Sequence, residues 1–355
     1  MNSPLSPLDL AFLATRLTPL SPLLDGQNIL LTGGTGLFGK WLLASYAELR
    51  RVHDFSGSVT VLSRHPETFL ARNPFFAQFD FFRFVAGDTR EAVFPNESRF
   101  DLVIHAATEA SAKLEKENPE EMYSVIVDGT RHVLDLARKT GTKRFLFVSS
   151  GAVYGVQPPE LENVPEDFPR APVTAYGRGK LEAENRMLEA ASAAGFEAVL
   201  ARCFAFVGPW LNLDIHFAAG NFLRNALNHE PILIRGDGTP FRSYLYTAEL
   251  AVWLWNLLLR APSGEAFNVG APEPVSIREL AEAVSSCVPG GLPVQVLGTP
   301  QPGVKPARYV PNVTKIHQTL GLKPEIGLRD ALERTLRFYT TLGSATQFCV
   351  SATQF

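Results

Sequence analysis

Residues 28–39, Asn-Ile-Leu-Leu-Thr-Gly-Gly-Thr-Gly-Leu-Phe-Gly, read as an apolar strand (28–32), a glycine-rich turn and the start of a helix. The spacing Gly33-x-x-Gly36-x-x-Gly39 in that context is the signature of a dinucleotide-binding turn. The glycines permit a tight turn, let backbone approach a pyrophosphate, and let the helix pack closely on the strand. The helix N-terminus then offers N–H donors and a positive dipole end to the phosphates. Gly33, Gly36, Leu37, Phe38 and Gly39 are therefore candidate cofactor contacts. Gly34 to Lys40 also satisfies Gly-x-x-x-x-Gly-Lys, the phosphate loop of nucleotide triphosphatases. That loop needs a hydroxyl next to hold magnesium, and Trp41 stands there, so this reading is rejected.

Further apolar strands are predicted at 59–62, 81–85, 102–105, 145–149 and 198–202. Helical patterns separate them at 37–49, 120–140 and 176–194. Such alternation predicts an α/β fold, a doubly wound parallel sheet covered on both faces. Residues 1–26 read as a Pro/Ser-punctuated lead-in with one short helix at 8–17, and 27–209 as the dinucleotide-binding domain. Beyond Gly208-Pro209 the loops lengthen, and 210–340 read as a smaller C-terminal lobe, interleaved with the first. Residues 341–355 read as a tail in which Ser-Ala-Thr-Gln-Phe occurs twice.

Two features inside this frame carry chemistry. Tyr176 and Lys180 stand four apart, on one face of a predicted helix. A cation held beside a phenol favours the phenolate, which predicts a Tyr176 pKa lowered from about 10 and a usable acid or base. Ser150 ends the strand Phe-Leu-Phe-Val-Ser-Ser, where its hydroxyl can hold a substrate oxygen.

The end of the second strand selects the nicotinamide nucleotide, since a carboxylate there binds the adenosine ribose and repels a 2′-phosphate. Here the sequence is Val61-Leu62-Ser63-Arg64-His65, which favours NADP over NAD within an NAD(P) site. Asp88, followed by Thr89, ends the third strand, either beside the adenine or as a loop cap.

Composition narrows the partners. The 355 residues are 46% apolar, with a net charge of -3 and a pI near 6.2. Without a basic block, no nucleic-acid partner is expected. Three scattered cysteines argue against a disulfide framework and for a reducing, cytoplasmic setting. The N-terminus lacks a secretory signal's pattern, and the apolar run 250–259 is about half a bilayer span, so it is expected to be a buried helix rather than a membrane partner. The seven histidines show no metal-binding spacing, and no metal site is expected.

Taken in order, these motifs resemble the extended short-chain dehydrogenase/reductases, and within them the nucleotide-sugar epimerase/dehydratase group. Residues 32–39, Ile104-His-Ala-Ala107, Gly129-Thr130, Val148-Ser-Ser-Gly-Ala-Val-Tyr-Gly155, 202–209, 236–246 and 267–270 carry the resemblance over roughly 27–340. It implies that Tyr176 is the acid/base, that Lys180 lowers its pKa and binds nicotinamide ribose, and that Ser150 hydrogen-bonds the reacting sugar oxygen. It also implies cofactor contacts at Ala106 and Ala107. Asn221, Arg242 and Arg308 would bind the diphosphate of a nucleotide-diphosphate sugar, the two arginines converging on it through forked contacts.

Departures from the family pattern refine this. Gly151-Ala152 stand where 4,6-dehydratases carry Asp-Glu, and decarboxylases usually have glutamate at Ala152's position. Phe204-Ala205 replaces a common Phe-Asn, and Ile126 replaces a supporting asparagine. The resemblance then implies epimerisation by transient oxidation at C4, or reduction of a 4-keto sugar nucleotide by NADPH. A non-catalytic dinucleotide-binding sensor or scaffold is the alternative of another class. A homodimer through the helices at 120–140 and 176–194 is common in the family.

Overall fold

Alternation along the strands decides which helices cover which face. Leu30, Phe145, Phe147 and Leu200 point one way, packing with Met122, Ile126, Val133, Ala183 and Met187. Ile29, Leu31, Leu146, Val148, Val199 and Ala201 point the other way, packing with Trp41, Leu42, Leu250 and Leu254. Helices Pro119–Thr140 and Ala175–Ala194 thus cover the first face, and Leu37–Val52 and Thr247–Arg260 the second. The helix containing residues 250–259 is buried along nearly its whole length. A strand sequence apolar on both sides, such as Phe145-Leu146-Phe147-Val148, requires two covering layers.

The computed structural model describes residues 3–108, 112–214 and 217–345. Its main sheet contains β1 (Gln27–Thr32), β2 (Gly57–Ser63), β3 (Phe82–Ala86), β4 (Leu102–His105), β5 (Arg144–Ser150) and β6 (Glu197–Cys203). The strand Glu265–Val269 completes it, in the order Glu265–Val269, β6, β5, β4, β1, β2, β3. Every neighbouring pair is parallel. This is a doubly wound Rossmann sheet, with its order reversing at β1 and β4, where such sheets bind ligands. In register, Thr32 lies beside His105, and Ser150 beside Cys203. These residues therefore meet at the carboxyl edge.

Beyond residue 210 the chain also builds two small sheets. Ile232–Ile234 pairs with Val294–Val296, and Phe241–Arg242 lies between Val275–Ser276 and Arg308–Tyr309. The N-terminal segment is bound more deeply than a lead-in implies. Its helix, Pro7–Leu17, sends Leu13 and Leu17 into the core, followed by Leu20 and Leu24. Asp9, 1% exposed, accepts from the Tyr246 hydroxyl at 3.1 Å and pairs with Arg334 at 3.0 Å, joining both ends of the chain to the centre. The last helix, Leu328–Ala345, runs past the expected start of the tail; the repeat falls largely outside the described residues.

Candidate active site

Gly33 has φ +71°, and a Cβ there would lie 2.6 Å from the carbonyl carbon and oxygen of Ala106. Only a glycine lets these two backbones approach so closely. The facing segment is fixed by a directed chain of hydrogen bonds. Ala107 N–H donates to Thr32 Oγ1 at 3.1 Å, and Thr32 Oγ1 lies 2.6 Å from His105 Nδ1. On the other side, His105 Nε2 lies 3.1 Å from Thr130 Oγ1, which donates to Ile126 O. The Thr130 proton is already engaged, so Nε2 carries the imidazole hydrogen and Nδ1 accepts. Burial pushes the His105 pKa down to about 3, with Lys180 adding to the effect, which keeps the ring neutral.

Gly36 begins helix Leu37–Val52 with no side-chain cap. The first-turn N–H groups of Leu37, Phe38 and Gly39 are thus available to an anion. Glycine cradle, uncapped helix end and the fixed Ala106–Ala107 backbone together fit the pyrophosphate of a dinucleotide.

Ser150, Tyr176 and Lys180 gather beside this cradle. Thr174 caps the helix Ala175–Ala194 by accepting from Gly177 N–H. Glu115 accepts from the N–H groups of Ala175 and Tyr176 at 2.7 and 2.9 Å. Tyr176 is half-buried, and Lys180 is 2% exposed. Lys180 Nζ donates to Val148 O at 2.7 Å and to Thr108 Oγ1 at 2.6 Å, and Thr108 in turn donates to Ala107 O. One hydroxyl thus joins the lysine to the cradle. Ser150 Oγ accepts from Ala152 N–H at 3.2 Å and lies 3.4 Å from the Tyr309 hydroxyl.

The expected lowering of the Tyr176 pKa is not met in the protein itself. Burial pushes the phenol up to about 12, against a smaller downward pull from Ser150. Burial likewise pulls Lys180 down to about 7, opposed by Cys203 and Glu184. Loss of solvent outweighs their mutual effect, because the ammonium is engaged by Thr108 and Val148 and sits 5.9 Å from the Tyr176 ring centre.

Thr35 Oγ1 lies 3.4 Å from Ser63 Oγ, bringing the glycine turn to the end of β2, where Arg64 is exposed. Asp88 forms a loop cap, accepting from Arg90 N–H at 2.9 Å and pairing with the Arg90 guanidinium, which holds its pKa down. Thr89 abuts Gly129, where a Cβ would meet its hydroxyl at 2.8 Å. Asn221 lines a cleft of about 330 Å³ with Arg224, Arg235 and Asp237.

Arg242 and Arg308 do not converge as expected. In register, Arg242 pairs with Tyr309 and Arg308 with Phe241, so the arginines occupy opposite faces of the small sheet. Arg242 faces Tyr309 and hence the serine, while Arg308 stacks 4.7 Å over Phe241 and donates to Glu162 O.

Several site residues carry no local sequence signal. Tyr309 packs 4.6 Å from Phe204, and a Cβ at Gly151 would meet the Phe204 ring at 2.7 Å and the Tyr309 hydroxyl at 2.8 Å. Two aromatic rings therefore wall off the place beside the serine. Ile126, already legible in the sequence as a departure from the family's asparagine, packs against helix Ala175–Ala194 at Gly179, where a Cβ would lie 3.2 Å from it, so the contact there is apolar. A larger cleft, about 570 Å³, opens behind that helix between Glu166, Arg170, Asn185 and Arg202, away from Ser150 and Tyr176.

A dinucleotide cradle joined through one threonine to a Ser/Tyr/Lys group defines an extended short-chain dehydrogenase/reductase. The chain belongs to the NAD dependent epimerase/dehydratase family, whose model matches residues 29–270. It is 29% identical to UDP-glucuronic acid decarboxylase 5 of Arabidopsis thaliana over 87% of this chain and 88% of that protein. Among solved structures it resembles the UDP-glucose 4-epimerase of Thermotoga maritima (TM-score 0.74, 22% identity, 89% of this chain and 99% of that one). It also resembles the dTDP-glucose 4,6-dehydratase DesIV of Streptomyces venezuelae (TM-score 0.77, 24% identity, 90% and 98%). The protein is thus an NAD-dependent enzyme of this family.

Proposed function

We propose that the protein is an NAD(P)-dependent epimerase of a nucleotide-diphosphate sugar, acting by transient oxidation at C4. The observation that carries this is the composition around Ser150. Ser150, Tyr176 and Lys180 are read as the group that handles the oxidation, and Gly151 and Ala152 stand where an added acid would be needed for another outcome. The relatives named UDP-glucuronic acid decarboxylases make decarboxylation the obvious rival. Ala152, in place of their usual glutamate, speaks against it. The missing Asp-Glu pair speaks against dehydration in the same way. In this reading 27–209 hold the cofactor, and 210–340 supply most of the sugar-nucleotide contacts.

When bound, the nicotinamide accepts and returns a hydride. Tyr176 takes the C4 hydroxyl proton and gives it back, and Ser150 holds the same oxygen. Lys180, with a pKa near 7, needs only a small gain in negative charge nearby to stay protonated at neutral pH. Its cation then favours the Tyr176 phenolate. Arg242, on the face of Tyr309, binds the diphosphate.

A second reading, reduction of a 4-keto sugar nucleotide by NADPH, is favoured by Ser63-Arg64 at the end of β2. A purely structural dinucleotide-binding role would leave the Ser150, Tyr176 and Lys180 group without a purpose.

The test is turnover of a panel of UDP-, dTDP-, GDP- and CDP-sugars followed by proton NMR, with parent and Tyr176→Phe proteins. A C4 epimer should form, and the variant should fold and bind cofactor but lose about 10²-fold or more in turnover. Release of carbon dioxide from UDP-glucuronate, or a variant as active as the parent, overturns the proposal.

A further inference from the structure

Tyr176, Lys180 and Glu184 follow at four-residue intervals along one face of helix Ala175–Ala194. The two buried members tie that face to successive residues of β5. Lys180 Nζ donates to Val148 O at 2.7 Å, and Ser149 Oγ donates to Glu184 Oε1 at 2.6 Å. The next residue is Ser150.

The backbone there needs such ties. β4 pairs with β5 only as far as Phe147, opposite His105, whereas β6 continues beside Val148, Ser149 and Ser150. Among the described residues, the last three of β5 thus have a strand on one side only. Side chains from the helix supply the missing support.

Glu184 is 0% exposed, and a carboxylate so placed must be compensated. Arg202, beside Ser149 in register, donates to it from Nε at 3.1 Å and from Nη2 at 2.9 Å. Its Nη1 is held by the Tyr154 hydroxyl and Glu166 O at 3.0 and 2.9 Å, so the guanidinium cannot turn. Arg170 adds a second cation 3.8 Å away. Glu184 is therefore a fixed anion, and its orientation is dictated from β6 rather than by Ser149.

We infer that Ser149 is a positioning residue: through its bond to the Arg202-held Glu184, it sets where Ser150 stands relative to Tyr176. The inference rests on the reading of Ser150 and Tyr176 as the pair that handles the reacting oxygen. Without the Ser149 hydroxyl, the strand end keeps the Val148 tie and loses the one adjacent to Ser150. Small displacements of reacting groups cost rate steeply while leaving ground-state binding almost unaltered.

Ser149→Ala tests this, because it leaves the Glu184–Arg202 pair intact and replaces a small side chain with a smaller one. The expected result is a kcat lower by about tenfold or more, with KM for the sugar nucleotide and Kd for NAD within about twofold of the parent. Ser149→Thr, which keeps the hydroxyl, should restore most of the loss. Crystal structures of parent and Ser149→Ala give a readout that needs no turnover, namely the separation of Ser150 Oγ from the Tyr176 hydroxyl. A changed separation supports the positioning role even if no sugar nucleotide is turned over by the parent, an outcome that would remove only the functional reading. An unmoved Ser150, an unchanged kcat, or a kcat loss matched by weaker NAD binding and a lower Tm overturns the inference.

Discussion

Glu249 lies in the first turn of helix Thr247–Arg260 and is 1% exposed. Its Oε1 accepts N–H bonds from Glu325 and Ile326, and Oε2 has no partner among the described residues. Burial pushes its pKa up from 4.5 to about 7, the nearby Glu325 carboxylate adds to this, and the backbone donors oppose it. A raised pKa means that the folded chain holds this proton more tightly than the unfolded one. The resulting stability is complete below pH 4.5 and is lost as pH rises through 7. At about 1.36 kcal/mol per pH unit, the interval from 4.5 to about 7 corresponds to about 3 kcal/mol.

Glu249→Gln keeps the Oε1 acceptor and puts an amide where the protonated acid carries its hydroxyl. The two proteins should therefore agree within about 1 kcal/mol at pH 5. At pH 8.5 the variant should be the more stable by about 2–3 kcal/mol. Urea unfolding followed by tryptophan fluorescence across that range measures the difference. His105 and Lys180 also titrate differently in the folded chain, but both proteins share them and their effects cancel. A parent–variant difference that stays flat from pH 5 to 8.5 would refute the assignment of this proton to Glu249.

Two further outcomes concern ligands. If Arg64 meets a 2′-phosphate, NADP(H) binds the parent more tightly than NAD(H), and Arg64→Ala removes the difference; equal affinities in the parent would rule that role out. Because Arg242 and Arg308 occupy opposite faces, Arg242→Ala should weaken sugar-nucleotide binding by about 2 kcal/mol, while Arg308→Ala should cost under half as much. Isothermal titration with a nucleoside-diphosphate sugar gives both values, and equal losses would mean that the arginines share one ligand after all.

Much of the frame is legible in the sequence because it depends on local period and spacing. Gly33, Gly36 and Gly39 between an apolar strand and a helix suit a phosphate-cradling turn and little else, and Tyr176-x-x-x-Lys180 fixes two groups on one helix face whatever the rest of the chain does. The doubly apolar runs near Leu30 and Phe147 require a layer on each side of the sheet. The first 26 residues are only partly legible for a related reason. Their Pro/Ser punctuation and short helical pattern suggest a lead-in, and the structure adds that Leu13, Leu17, Leu20 and Leu24 bury in the main core and that Asp9 is held by Arg334. Nothing local reveals a partner so far along the chain.

The same limit separates the two halves of the candidate site. Tyr309 reaches Ser150 from 159 positions away, and it does so because strand pairing puts it on the face of Arg242 rather than that of Arg308. Spacing can bring two arginines near a cleft, but a shift of one residue in a strand reverses the face, and only the register settles it. The Tyr176–Lys180 pair fails in a complementary way. Its geometry is readable, but the sign of its pKa shifts depends on solvent removed by residues distant in sequence, such as Phe147 beside Lys180 and Tyr309 beside Tyr176. Spacing predicts attraction between a phenolate and an ammonium. The fold supplies a lysine already committed to Thr108 and Val148 and a phenol that burial pushes to about 12. On the proposed reading, proton transfer at neutral pH therefore depends on what ligand charge does to Lys180, a property of the assembled site that two residues on a helix do not carry by themselves.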